Sequence, residues 1–464
     1  MQTVVKRIYN RIASVAILVL SLVFVYSCSP VDLDFNPSPS PGRTEENETT
    51  RVPVKDFRNV FIMYSMGYND LSGYLRDDIN DLVTSPLMKS PRDIIIIMSH
   101  LANPQNGWPY VDLNTPVSPT LTCISKDIEG MVYRDTLMVM PNETILADAE
   151  VLKETLTYIK ENFDAERYGL LLSSHGSGWC PSGYISDPSK YEKQPTDDDD
   201  GPMEILAVQQ QVTPLYNLAR PDDIPTKTMG VHLFTAYDGK EMEIRDIAAA
   251  FPFKMDYIIF DACYMGGIEV AYELRNVTDW LITSQTEIIA YGMDYKTICS
   301  YLFNPAGPDL TGFCERYYEY YNSMTGYYDK SATISLVRTS ELEDLAMTTR
   351  DIIERYRTQL ENVQNNRSQV QKYFRSNYSS KHQWFYDFGH IIEKCNLSED
   401  DLAAFNDALD DAVVFKAATE EFMKNFRITH HSGLSMYLPY TTGRDYLNNF
   451  YKTLEWNKAV GLVQ

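Results

Sequence analysis

MDYIIFDACYMGGIEVAYEL, residues 255–274, decides how the chain is read. Tyr257 to Phe260 is a short apolar run rich in β-branched residues, the pattern of a central parallel strand buried on both faces. Gly266 and Gly267 then loosen the backbone, and Ile268, Val270, Ala271 and Leu274 continue with helical spacing. The stretch therefore reads as a strand running into a helix, with Cys263 at the junction. Open α/β sheets keep their ligands in crevices at the carboxyl ends of strands, so this thiol stands where chemistry is expected.

A second unit of the same kind lies upstream. RYGLLLSSHGSGW, residues 167–179, places His175 at the end of the apolar run Leu170 to Leu172, followed by Gly176 and Gly178. A thiolate is the reactive form of cysteine, and a free thiol of pKa ~8.5 needs a nearby imidazole or helix amino terminus to reach it at neutral pH. His175 can polarise the thiol and later protonate a leaving amine, because an imidazole of pKa about 6.5 works close to neutrality. Backbone N–H groups at Gly176 and Cys263 can form an oxyanion hole. A lone cysteine at a strand end is usually a small buried hydrophobe, and a lone histidine beside glycines is usually a loop residue. The joint pattern favours chemistry: two strand–turn units, each ending in a reactive side chain, with Asp261 two residues before the thiol. A carboxylate at the end of a buried strand also needs a partner or a ligand.

SSHGSGW (173–179) and DACYMGGIEVAYEL (261–274) resemble the His and Cys motifs of the clostripain family of cysteine peptidases, relatives of the caspases, gingipains and legumains. The resemblance runs from about Phe57 to Tyr295, with a weaker echo at HHSGLSMYLPY, residues 430–440. It implies a caspase-like α/β sandwich with a mostly parallel central sheet flanked by helices, and a Cys263–His175 dyad. It also implies a pocket floored by Asp261 for a substrate Arg or Lys. Similar enzymes carry a second pocket acid in the segment that here reads TSQTEIIAYGMDY (283–295); Tyr291 holds the expected position, with Glu287 and Asp294 nearby.

The remaining composition bounds the setting. A formal charge of −23 over 464 residues argues against nucleic acid as a partner, since phosphates would be repelled, and favours cationic substrates. Lys6, Arg7 and Arg11 precede an apolar run from Ile12 to Tyr26, the pattern of an export signal over residues 1–27. Val25-Tyr26-Ser27-Cys28 resembles a bacterial lipobox, which makes Cys28 a lipidation site and the envelope membrane a partner; a plain secretory signal is the alternative. Six further cysteines show no metal-ligand spacing, and export permits disulfides without requiring them.

Residues 28–56 are rich in Pro, Ser, Glu and Thr and read as a tether. Residues 57–330 form the expected peptidase domain, and 331–464 a mainly helical region that completes it or is appended to it. Asp148 to Phe163 and Ser340 to Arg367 read as helices. The long segment Cys180 to Gly230 carries Lys190, Lys193, Arg220 and Lys227, candidate sites of self-cleavage between the two motifs. Its run Asp197 to Asp200 is a calcium candidate, although acidic runs are more often solvated loops; no other metal or cofactor is expected. His100 reads as a loop residue, and His390, His430 and His431 as structural. The sequence thus points to an exported, lipid-anchored cysteine endopeptidase acting on protein or peptide substrates. The rival reading is a non-catalytic surface lipoprotein that binds peptides or glycans on a peptidase-like scaffold.

Overall fold

The computed structural model describes residues 56–105, 111–185, 190–192, 232–233, 239–326, 329–375 and 383–464. Cys28, the tether as far as residue 55, Asp197–Asp200 and the basic sites Lys193, Arg220 and Lys227 lie outside them. Nine strands form the main sheet: β1 (Phe57–Gly67), β2 (Asp93–Leu101), β3 (Thr120–Lys126), β4 (Val132–Val139), β5 (Ala165–Ser173), β6 (Met255–Asp261), β7 (Thr278–Thr283), β8 (Thr333–Arg338) and β9 (Val413–Ala418). Their spatial order is β9-β8-β7-β6-β5-β1-β2-β3-β4. The five central strands run parallel, and antiparallel pairs extend the sheet at both edges. This is the expected α/β sandwich.

Parallel neighbours need crossovers, and helices supply them. Helix α1 (Ser72–Thr84) links β1 to β2, α2 (Ala149–Asn162) precedes β5, and α3 (Ile268–Leu274) links β6 to β7. Asp148 caps α2 by accepting from the Glu150 N–H at 3.0 Å, and Leu152, Leu156 and Ile159 form its buried face. Gly169 in β5 lies opposite Tyr257 in β6, and a side chain there would collide with the tyrosine ring. That close approach explains a glycine in the middle of a buried strand.

The long charged helix expected over Ser340–Arg367 is broken at Tyr356 into α4 (Leu342–Arg355) and α5 (Arg357–Asn365), and a 3₁₀ turn precedes α4. The region after residue 330 supplies sheet as well as helix: β8 and β9 belong to the main sheet. Its chain also returns to the Cys263 loop, where Ser435 N donates to Gly266 O at 2.9 Å and Gln285 Nε2 to Gly433 O at 2.8 Å. His100 lies within β2, buried, not in a loop; its Nε2 bonds to Val117 O at 2.8 Å and its ring stacks on Tyr68. The six described cysteines after Cys28 are buried, and none forms a disulfide bond. No helix among the described residues is long and apolar enough to cross a membrane.

Glu269 on α3 is fully buried and accepts from Tyr437 N and Tyr451 OH, each at 2.8 Å. Burial pushes its carboxyl up from 4.5 to about 7. Between those values the folded protein keeps a proton that the unfolded chain has lost, so stability falls as pH rises through the window and stays lowered above it. Glu269→Gln is therefore expected to match the wild type near pH 4.5 and to exceed it at pH 8 by about 3 kcal/mol, one pKa unit being worth ~1.4 kcal/mol. Urea midpoints at the two pH values check this; an equal gap at both refutes it.

Candidate active site

Strand pairing brings the two motifs together. In the β5–β6 register Ser173 lies opposite Asp261, and Ser174 N donates to Asp261 O at 3.4 Å as the strands end. The next residues are His175–Gly176 on one strand end and Ala262–Cys263 on the other. Gly176 packs directly on the cysteine backbone: a side chain there would run into the Cys263 carbonyl oxygen and lie 2.8 Å from its amide nitrogen. Only glycine allows this approach, which sets the Gly176 and Cys263 backbones side by side.

Cys263 has no exposed surface. Its Sγ accepts from the Ile288 N–H at 3.2 Å and lies 3.7 Å from the Ile288 carbonyl oxygen. The following residue, Tyr264, is left-handed at φ 61°, a conformation that costs a non-glycine residue on the order of 1 kcal/mol. Its ring lies parallel to Phe385 at 4.6 Å, and Phe374 packs beside it at 5.2 Å. This aromatic packing and the Tyr264 N–H bond to Thr286 O at 2.9 Å hold the turn that presents the thiol.

His175 is nearly buried, and its Nε2 lies 2.7 Å from Asp70 Oδ1. It lines a small open cleft together with Ser174, Gly176, Gly178, Met66 and Glu241. Glu241 accepts from Gly183 N at 2.8 Å, and desolvation pushes its carboxyl up to about 7. Asp70 is also raised by desolvation, to about 6, although half of its side chain remains exposed. Neither acid stands in a motif. The available signal for Asp70 was its place in YNDLSG, the turn at the carboxyl end of a strand adjacent to β5.

The remaining sequence candidates are placed as follows. Asp261 is fully buried, and its Oδ2 accepts from Ser173 Oγ at 3.0 Å and Tyr295 OH at 2.6 Å. Glu287 forms a buried two-pronged ion pair with Arg375, whose Nη2 lies 2.7 Å from Oε1. Asp294 is gripped by Arg316 through contacts of 2.8 and 2.6 Å to one oxygen. Tyr291 is partly exposed, its ring 6.3 Å from that of Tyr74. Away from this site, His390, Glu393 and His430 bring potential metal ligands close together. Glu393 follows His390 by three residues on one helix, an acidic neighbour that the sequence reading overlooked. The group does not fit a metal: Gln371 N donates to His390 Nδ1 at 3.0 Å, so a neutral ring carries its proton on Nε2, and the ring stacks on His430 at 3.6 Å.

Comparison with known proteins bears on the family and the fold. The family model described as "Clostripain family" matches residues 63–199 and 222–461. No curated protein matches the chain. An inactive zymogen C11 protease from Parabacteroides distasonis is 25% identical with a TM-score of 0.64, over 88% of this chain and 99% of that one. A secreted C11 cysteine protease from Bacteroides thetaiotaomicron gives the same identity and TM-score, over 88% and 100% of the two chains. A further secreted C11 protease from that organism, in complex with an irreversible peptide inhibitor, shares the fold at 20% identity and a TM-score of 0.64, over 87% and 99%. With its sheet order and its matched residues, the chain belongs to the clostripain family of cysteine peptidases.

Proposed function

We propose that this peptidase cleaves peptide bonds with Cys263 as nucleophile and His175 as general acid–base. The observation that carries the reading is the seating of Gly176 on the Cys263 backbone, because it joins the thiol and imidazole motifs at one point of the sheet. The thiolate attacks the substrate carbonyl carbon, and the carbonyl electrons move onto oxygen, where the Cys263 and Gly176 N–H groups receive the charge. His175 then protonates the departing amine, leaving a thioester. Water, deprotonated by the same imidazole, attacks the thioester carbonyl, and the acid product leaves as the thiol re-forms. The Cys263 thiol has no exposed surface, so the segment bearing Ile288 or its neighbours must move before a peptide reaches it.

For substrate choice, Asp261 is the acid that receives an Arg or Lys side chain on the acyl side of the cleaved bond. Its support is its place two residues before the thiol, together with the internal ion pairs that already engage Glu287 and Asp294. Tyr291 then lies at the rim, adding contact surface without charge. The leader pattern and the secreted relative support export, with anchoring through an acylated Cys28; mass spectrometry of the mature amino terminus reads that modification directly.

Affinity labels test the core of the reading. A peptidyl ketone with Arg at the acyl position is expected to modify Cys263 ahead of the other described thiols, and to do so at least ~10-fold faster than a matched probe carrying Leu. Labelling spread evenly over the cysteines would remove the nucleophile assignment, and equal rates with the two probes would remove the role of Asp261.

A further inference from the structure

We propose that Asp70 is a positioning residue for catalysis, its carboxylate holding Nε2 of His175 so that Nδ1 is the nitrogen that exchanges protons with thiol and substrate. The inference rests on the assignment of His175 and Cys263 and extends it from two residues to three.

The contact itself is short, 2.7 Å from Asp70 Oδ1 to His175 Nε2. A carboxylate accepts only, so Nε2 must carry the hydrogen; in the neutral ring the lone pair then resides on Nδ1. One contact thus sets both the tautomer and the ring orientation, and it stabilises the imidazolium formed when the thiol is deprotonated.

Both halves of the contact are anchored by the fold. β1 and β5 are parallel neighbours with Ser65 opposite Ser173, so the turn after β1 falls beside the histidine. Ser174 Oγ donates to Met66 O at 2.8 Å, tying the residue before His175 to the end of β1. On the other half, buried Asn69 accepts from Leu71 N at 2.9 Å and donates to Met66 O at 3.2 Å. Ser72 Oγ donates to Gly67 O and accepts from Ala102 N at 3.0 Å. The aspartate therefore projects from a turn braced on both sides, with its side chain half open to solvent and the histidine it meets nearly buried.

Exposure of the aspartate separates this role from a structural one. Ion pairs with an exposed partner contribute little to stability, typically 0–1 kcal/mol, so loss of the carboxylate should leave folding nearly unchanged. Among the described residues, other titratable groups near the pair include Tyr74 of α1, Glu241 across the cleft, and Asp261 and Cys263 at the end of β6. Each is negative when ionised and favours the imidazolium, but Asp70 is the group bonded to Nε2.

The test compares wild type, Asp70→Asn, Asp70→Glu and His175→Ala for kcat, KM and the pH profile of kcat/KM on a basic peptide substrate, with melting temperatures alongside. Asp70→Asn is expected to lower kcat by about 10²-fold, with KM within about twofold and melting unchanged. The alkaline limb of its profile should move down by about one pH unit or more, since the imidazolium has lost its counter-charge. Asp70→Glu should restore part of both. If His175→Ala is inactive while Asp70→Asn keeps the wild-type kcat and profile, the inference about Asp70 is wrong and the dyad stands. If His175→Ala retains activity, the dyad assignment itself falls, whatever Asp70 does.

Discussion

Cys263→Ala is expected to abolish peptide hydrolysis, and His175→Ala to cost nearly as much, on the order of 10⁴-fold or more in kcat/KM. On the proposed mechanism the two side chains act as one unit: without the thiol no acyl-enzyme forms, and without the imidazole neither thiol activation nor amine protonation proceeds. Combining the substitutions should therefore add little to either alone. Both proteins should still fold. Cys263 loses the sulfur that Ile288 N–H meets and His175 its bond to a half-exposed aspartate, while the β5–β6 pairing beneath them is untouched. Rates on a basic peptide substrate, with melting curves as control, check this. Substantial turnover by purified Cys263→Ala would end the nucleophile assignment.

Arg375→Met should be among the most destabilising single substitutions in the described chain, by about 3–5 kcal/mol. Glu287 has no exposed surface and Arg375 almost none, so removing the guanidinium leaves a carboxylate in a site that water does not reach. The asymmetry supplies the diagnostic. Arg375→Met combined with Glu287→Leu removes both charges and is expected to recover most of the loss, because a buried pair replaced by apolar groups of similar volume is often neutral. Denaturant midpoints of the two variants decide it; a single variant as stable as the wild type would show the pair to be dispensable. Glu287 also precedes the residue whose N–H meets the Cys263 sulfur, so the pair anchors the segment that contacts the thiol.

What could be read from the sequence was local. The strands ending just before His175 and Cys263 are continuous apolar runs with glycine in the turns that follow, and the parallel core is read from them; that the two motifs meet is not, because it depends on which strands pair. Pairings between distant residues could not be read. Asp70 reaches His175 across 105 residues, and Arg375 reaches Glu287 across 88, contacts that only the strand order creates. Glu287 and Asp294 looked available for substrate because their arginines lie outside any motif. β9 escaped notice because VVFKAA follows a helix without a turn residue between them and is only partly buried. The break at Tyr356 has no glycine or proline to announce it; the Tyr356 hydroxyl donates to Asp401 at 2.6 Å, a tertiary contact invisible in local pattern.

The return of the chain to the Cys263 loop bears on when the enzyme becomes complete. The Gly266 carbonyl receives its bond from Ser435, Glu269 is met by Tyr437, and the edge strand β9 precedes both in the chain. During synthesis, His175 and Cys263 emerge long before these partners. At ~5–20 residues per second the interval from Cys263 to Ser435 lasts roughly 10–30 s, during which the loop beside the thiol lacks the contacts that hold it. The order of emergence thus leaves the loop beside Cys263 without these partners until synthesis has passed residues 435–437.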